Sequence, residues 1–259
     1  MERENSRGHP RVSPGGENRR RAGRAGITGR QSALAGALTM LVLAIFGITG
    51  IIWMIAGDEG GMERAMIHYA PAEETGLPAD EYRDMAVMMT EYLTGRRDTF
   101  QFTLVDMNGE SYNCFHNYEE IHMADCRNLL TLDRKVEIFC LVLGTAGLIL
   151  VAVLRKPYRR RFAEGGLKGL MALGILAVLL VAWAALNFDG FFVTFHRLAF
   201  RNDLWLLDPE TDMLIRLMPE SLFVHLGLKG LPLAAAWVGL LALACVIIKK
   251  EWKGLLPED

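Results

Sequence analysis

The sequence of 259 residues predicts an all-α polytopic membrane protein with four transmembrane helices, a small α+β extracytoplasmic cap and a second outer segment in the membrane interface. Two observations carry this prediction. The first is four apolar runs without a charge: Gln31–Gly57, Ile138–Leu154, Gly169–Phe188 and Gly230–Ile248, of 27, 17, 20 and 19 residues. A helix rises about 1.5 Å per residue, so roughly 20 residues cross a hydrocarbon core of about 30 Å. The second run is short; Val136 and the snorkelling stem of Lys135 extend it. The other observation is the placement of positive charge. Residues 1–30 hold eight Arg against three Glu, Arg155 to Arg161 form a basic connection between the second and third runs, and Lys249, Lys250 and Lys253 follow the fourth. These segments alternate so as to lie together on the cytoplasmic side. Runs this long do not recur four times in soluble folds, and the first lacks the cleavage site of a signal peptide.

The elements follow in order. Residues 1–30 are expected to be a disordered, basic cytoplasmic N-terminus that contacts anionic membrane lipid rather than nucleic acid. Residues 31–57 are the first span. Residues 58–135 form the extracytoplasmic cap, with 16 acidic and 7 basic residues. Within it Tyr82, Met85, Met89 and Tyr92 recur at helical spacing over Ala79–Leu93, closed by Gly95. Thr99–Val105 alternates as a strand, Met107-Asn108-Gly109 turns, and Ser111–Phe115 returns. Asn117 with Glu120 resembles a helix start, and no Pro or Gly interrupts the chain from there to Gly144. One helix therefore runs into the second span, 136–154, carrying His122, Asp125, Cys126 and Leu129 along one stripe. Residues 155–168 are a basic cytoplasmic loop, 169–188 the third span, and 189–229 the interfacial outer segment, rich in Phe and Trp. The fourth span is 230–248, and 249–259 is a cytoplasmic tail.

Several function classes lack support. The sequence contains no phosphate-binding loop, dinucleotide fingerprint, nucleophile elbow or H-E-x-x-H. His116, Glu119, Glu120 and His122 cluster, but in no zinc-ligand spacing, so no metal is expected. Cys140 and Cys245 fall inside apolar runs; Cys114 and Cys126 lie outside, and whether they pair is left open by the sequence. The absence of C-x-x-C weakens a quinone-linked thiol oxidase. His122 and His196 are the sharper candidates, because each stands beside an apolar span on the same outer side, and imidazole suits proton transfer near neutral pH. The alternative is that both are interfacial residues of a non-enzymatic scaffold or receptor whose cap binds a partner.

Two motifs bear on that choice. Asn117-x-x-Glu120 is followed by His122-Met123-Ala124-Asp125. The later segment reads Phe195-His196-x-x-x-Phe200-x-Asn202-Asp203-x-Trp205-Leu206-Leu207-Asp208-Pro209-x-x-Asp212-x-Leu214-Ile215, then Pro219-Glu220-x-x-Phe223. Over about Ser32 to Lys250 the chain resembles the bacterial lipoprotein intramolecular transacylase (Lit) family, although Cys126 stands where that pattern has a small aliphatic residue. The resemblance implies an acyltransferase of the bacterial cytoplasmic membrane with an outward-facing active site. Its substrates would be diacylglyceryl-modified lipoproteins, whose sn-2 acyl chain passes to the α-amino group of the same N-terminal Cys to give the lyso-form. It makes His122 and His196 the catalytic pair and implies no cofactor. Asp125, Arg127, Arg197, Asn202, Trp205 and Asp212 are candidates for binding substrate or orienting an imidazole.

Overall fold

The computed structural model describes residues 27–105 and 108–250. Of the N-terminus expected to be disordered, residues 1–26 lie outside the described part, as do the turn residue Met107 and residues 251–259 of the tail. Gly29 and Arg30, by contrast, already belong to the first helix, which Thr28 caps, and Lys249 and Lys250 to the last. Four helices are long and apolar enough to cross a membrane: α1 (Gly29–Ala56), α5 (Asn117–Val153), α6 (Lys156–Leu186) and α9 (Glu220–Lys250). Between and beside them lie α2 (Glu59–Tyr69), α3 (Ala72–Thr75), α4 (Tyr82–Leu93), α7 (Phe188–Ala199) and α8 (Met213–Leu217). Strands β1 (Thr103–Val105) and β2 (Ser111–Asn113) pair antiparallel, Leu104 opposite Tyr112.

α1 is the central span, with 28% of its apolar window buried within the chain against 11% for each of the others. Its closest partner is α6. A Cβ on Gly36 would lie 1.9 Å from the Phe162 carbonyl oxygen, and one on Gly165 would lie 1.8 Å from that of Ala33. Only glycine admits this approach, the usual device for packing helices where lipid removes the hydrophobic drive. Trp237 of α9 donates its indole N–H to the Leu43 carbonyl at 2.8 Å, tying the fourth span to the same centre. The outward faces of α5, α6 and α9 expose Phe139, Val142, Met171, Val178, Leu240 and Leu243, as a lipid-facing surface requires.

The basic segment 155–168, expected as a loop, is instead the beginning of α6. Pro157 lies in its first turn, where a missing N–H costs nothing. Arg159 reaches back to the carbonyls of Leu154 and Ala152, so the cations that mark this side also close the end of α5. α9 likewise starts at Glu220, ten residues before the apolar run.

The cap holds more helix than the sequence pattern gives, with α2 and α3 preceding α4. The strand is three residues, shorter than Thr99–Val105. The start of α5 also shifts by one residue: His116, not Asn117, is the N-cap, and its amide donates to Glu119, not Glu120, at 2.7 Å. The reason is that Glu119 is held from its other side by the second outer segment, as described below. That segment divides in two. Met213, Leu214 and Leu217 of α8 enter the same core as Met62, Met66, Met85, Met89, Phe100, Phe115 and Met123. α8 is thus part of the cap, while α7 exposes Phe195 and Leu198 and the first turns of α9 expose Phe223, Val224 and Leu228.

Candidate active site

Among the described residues, the cap and the α7 region meet around two histidines. His122 comes from the fully helical stretch of α5 that precedes its apolar part, and His196 from the last turn of α7. Each is only 7% exposed, and their ring centroids are 5.9 Å apart. An aromatic shell encloses them. Phe192, Trp205, Phe195 and Phe200 lie 3.9, 5.1, 5.3 and 5.4 Å from His196, centroid to centroid, and Phe200 lies 5.1 Å from His122.

Helical spacing sets the ring partners. His196 Nδ1 is 2.8 Å from the carbonyl oxygen of Phe192, one turn earlier. A carbonyl only accepts, so Nδ1 carries the proton and Nε2 holds the lone pair. His122 Nε2 is 3.6 Å from the Cys126 sulfur, one turn later, while its Nδ1 is buried without a partner. Both rings are held neutral. Burial is the main cause that pulls His122 down to about 4; His196 adds to the effect and Asp125 opposes it. Burial also lowers His196, against the opposing pull of the Phe192 carbonyl. Asp125 does pull the His122 value upward, but loss of solvent outweighs one carboxylate that is itself hydrogen-bonded.

Asp125 accepts instead from the Asn202 amide at 2.8 Å, a direct tie between α5 and the chain after α7. Trp205 packs on His196, as above. Arg127 stands elsewhere: its guanidinium lies 5.0 Å from the Tyr92 ring centroid and 3.6 Å from Asp98, on the cap. Arg197 is exposed and forms no ion pair among the described residues. Asp212 does not reach an active-site imidazole. Its carboxylate accepts from Tyr118, from Thr211 Oγ1 at 2.9 Å and from the Asp208 amide at 2.7 Å.

Asp212 belongs to a second cluster, with His116 and Glu119, whose ligand-type atoms lie within 4.8 Å of one another. Glu119 is fully buried, and its two oxygens accept the amides of Leu214 and His116, each at 2.7 Å. His116 Nδ1 lies 3.2 Å from Glu119 and 3.4 Å from Asp212. Every carboxylate oxygen here already has a protein donor, so the group reads as a clamp that fastens the second outer segment to the start of α5. Glu120 is outside it and accepts from Asn113. Cys114 and Cys126 are free thiols, both pushed up to about 12, chiefly by burial.

The sequence reading missed the roles of Phe192, Phe200, Cys126, Tyr118 and Glu119. The first and third had a signal: each lies four residues from a candidate histidine on a helix. Glu119 had a local signal only for the His116 amide three residues before it; the Leu214 amide is 95 residues away.

The family model of lipoprotein intramolecular transacylase Lit matches residues 37–223. Among solved structures, the membrane integral lipoprotein intramolecular transacylase Lit from Bacillus cereus is similar, with a TM-score of 0.68 at 20% identity, over 87% of this chain and 99% of that one. A histidine-to-arginine variant of the same Bacillus cereus protein has a TM-score of 0.60 at 20% identity, over 88% of this chain and 95% of that one. At that identity the likeness concerns the fold. No curated protein matches this chain.

Proposed function

Because this chain belongs to the lipoprotein intramolecular transacylase Lit family and is therefore a membrane acyltransferase, we propose that His122 and His196 carry out the transfer. The observation that supports this is the pair itself: two buried, neutral imidazoles from separate segments, 5.9 Å apart. The substrate is a lipoprotein with a diacylglyceryl group on its N-terminal Cys. The neutral α-amine attacks the sn-2 ester carbonyl of the same molecule. A C–N bond forms, and the proton of the amine passes to His196 Nε2, the free lone pair. The tetrahedral intermediate carries an oxyanion, which accepts a hydrogen bond from His122. On collapse the C–O bond breaks, and the His196 imidazolium returns its proton to the leaving glycerol oxygen. The product is an N-acylated lyso-form, with neither water nor a cofactor consumed.

The protein contributes three things to this reaction. Ester and amine belong to one molecule, so holding them in a near-attack geometry supplies a large share of the acceleration. The aromatic shell keeps both rings dry, which maintains the base and strengthens any hydrogen bond to the oxyanion. The Asp125–Asn202 bond and the contact of Phe200 with His122 hold the two histidine-bearing segments together. Arg197, exposed beside His196, is placed to meet a lipid or peptide charge, whereas Arg127 and Asp212 serve the cap.

Purified protein in detergent micelles, given a synthetic diacylglyceryl lipopeptide, tests the function. Mass spectrometry should find the acyl group moved from glycerol to nitrogen with no change in total mass. A product lacking one acyl group would mean hydrolysis and would remove the assignment. The orientation is part of the same proposal, with both termini cytoplasmic and the site outward. In a cysteine-free background, Ser111→Cys and Thr211→Cys should react with an impermeant thiol reagent in intact cells. Arg160→Cys should not, and labelling there would invert the topology.

A further inference from the structure

We propose that Cys126 is a positioning residue for His122: its S–H donates to Nε2, so the ring proton resides on Nδ1 and is directed to the reacting oxygen. The inference rests on the two-histidine reading above and assigns the tautomer that the reading needs. Three observations carry it. Cys126 Sγ lies 3.6 Å from His122 Nε2, one helical turn away on the same face of α5. His122 Nδ1 is buried and unpartnered, in a residue only 7% exposed. The other ring, His196, is already fixed with its proton on Nδ1 by the Phe192 carbonyl at 2.8 Å.

The chemistry of the two sulfur arrangements differs. An imidazole nitrogen is a good acceptor, and a thiol is a weak donor and a weaker acceptor. The S–H to Nε2 arrangement therefore pairs the better partners. It requires an un-ionised thiol, and burial supplies one, holding Cys126 up at about 12. It also divides labour without conflict. With His196 Nε2 as the base, the reaction still needs a donor for the oxyanion, and a neutral His122 offers one N–H. If that N–H pointed at sulfur, the oxyanion would meet a second lone pair. A buried polar nitrogen without a partner is destabilising, a cost that a substrate oxygen removes. That gain is larger in the transition state, where the oxygen is charged, which is the condition for it to lower the barrier.

The groups facing this pair are few. Asp125 and Cys126 belong to α5 itself; from the neighbouring segments come His196, Phe200 and, through Asp125, Asn202. None donates to His122 Nε2 in place of the thiol.

The test combines kinetics with nitrogen-15 NMR of histidine-labelled full-length protein in detergent micelles. Wild type should show His122 protonated on Nδ1. Cys126→Ala should shift that ring toward Nε2–H or a mixture and lower kcat three- to tenfold at little changed KM. Cys126→Ser, which restores an O–H donor at the same position, should recover both the tautomer and most of the rate. Thermal melting of each variant separates a folding defect from this effect, and the serine variant serves if alanine unfolds. A wild-type ring protonated on Nε2 would overturn the inference, as would an unchanged tautomer in Cys126→Ala. Transfer surviving in His122→Ala would instead overturn the two-histidine reading beneath it.

Discussion

The membrane half and the cap half of this protein are held by different balances of close backbone fit and directed polar bonds. At the α1–α6 contact the backbones themselves touch, through Gly36 and Gly165 against the carbonyls of Phe162 and Ala33. Side-chain chemistry adds little there beyond Ser32, whose hydroxyl donates to the Tyr158 carbonyl at 2.6 Å. Outside, α5 and the second outer segment meet through directed polar bonds: Glu119 to the Leu214 amide, Tyr118 to Asp212, and Asn202 to Asp125. The difference follows from solvent. In lipid an apolar face gains nothing by leaving its surroundings, so close fit must supply the attraction. At an outer surface, burial is favourable but unspecific, and fixing two rings within a reaction's tolerance requires directional contacts. The spans should therefore be more sensitive to added bulk, and the cap to a lost hydrogen bond.

The sharpest break in that comparison is a bulky residue in the seam. Gly36→Leu or Gly165→Leu must push two backbones apart, a cost of about 3 kcal/mol or more. The expected result is little monodisperse, folded protein on size exclusion, with the surviving fraction still active per molecule. Normal yield and melting would show that α1 and α6 do not approach as described.

Next are the histidines, where the fold should stand and the rate should not. His122→Ala and His196→Ala should each lower transfer by a factor of about 100 or more, the range for a positioned acid or base. The double variant should lose little beyond the worse single one, since residues acting as a unit are not additive. His68→Ala and His225→Ala are the controls. Both lie against Tyr69, away from the pair, and should remain near wild type. Lyso-form production at the normal rate by a well-folded His196→Ala variant would remove the base.

The clamp lies between these extremes. Glu119→Ala leaves the Leu214 and His116 amides without acceptors, each costing about 1–3 kcal/mol if it stays buried. Melting should fall, and amide exchange over Asp208–Leu214 should quicken. Transfer should drop about tenfold, because α8 and the residues before it hold the site from one side. Glu119→Gln keeps one acceptor oxygen and should lose less. Equal exchange in all three proteins would mean that the clamp fastens nothing.

The same contrast explains what could be read from the sequence. Span number and fold class were legible because lipid enforces a long, charge-free run, visible residue by residue. Residues 155–168 were not legible as helix, because a basic run with Pro157 has the composition of a loop; its helicity comes from continuity with α6 and from Arg159 capping α5. The histidine pair was legible from position and from motif resemblance. Its environment was not. Asp125 adjoins His122 on the stripe and pulls its pKa upward, yet burial, with Phe200 against the ring, and the approach of His196 decide the sign. Asp212 sits within the later motif, but its partners Tyr118 and His116 come from a segment some ninety residues earlier, and no local pattern encodes that meeting.

The smallest expected effect is in the pH profile, and it distinguishes a dry site from a wet one. Two groups must be neutral for attack: the substrate α-amine, ordinarily near pH 7.7–8.0, and the base His196. Below the amine's value the rate should fall about tenfold per pH unit from that group alone. If His196 were solvated, a second loss would set in near the ordinary histidine value of about 6.5, doubling the logarithmic slope. Burial lowers His196 instead, so its neutral form persists to lower pH and the second bend should lie below 6.5. His122, held down at about 4, adds no bend in this range; as a donor it would in any case keep an N–H when protonated. Initial rates of lipopeptide acyl transfer between pH 5 and 9, corrected for folded protein at each pH, should therefore show a single slope that continues below 6.5. Replacing Trp205 with Ala opens one wall of the shell around His196 and should move the second bend upward toward 6.5. A double slope already present near 6.5 in wild type would mean that water reaches the base and that the aromatic shell does not exclude it.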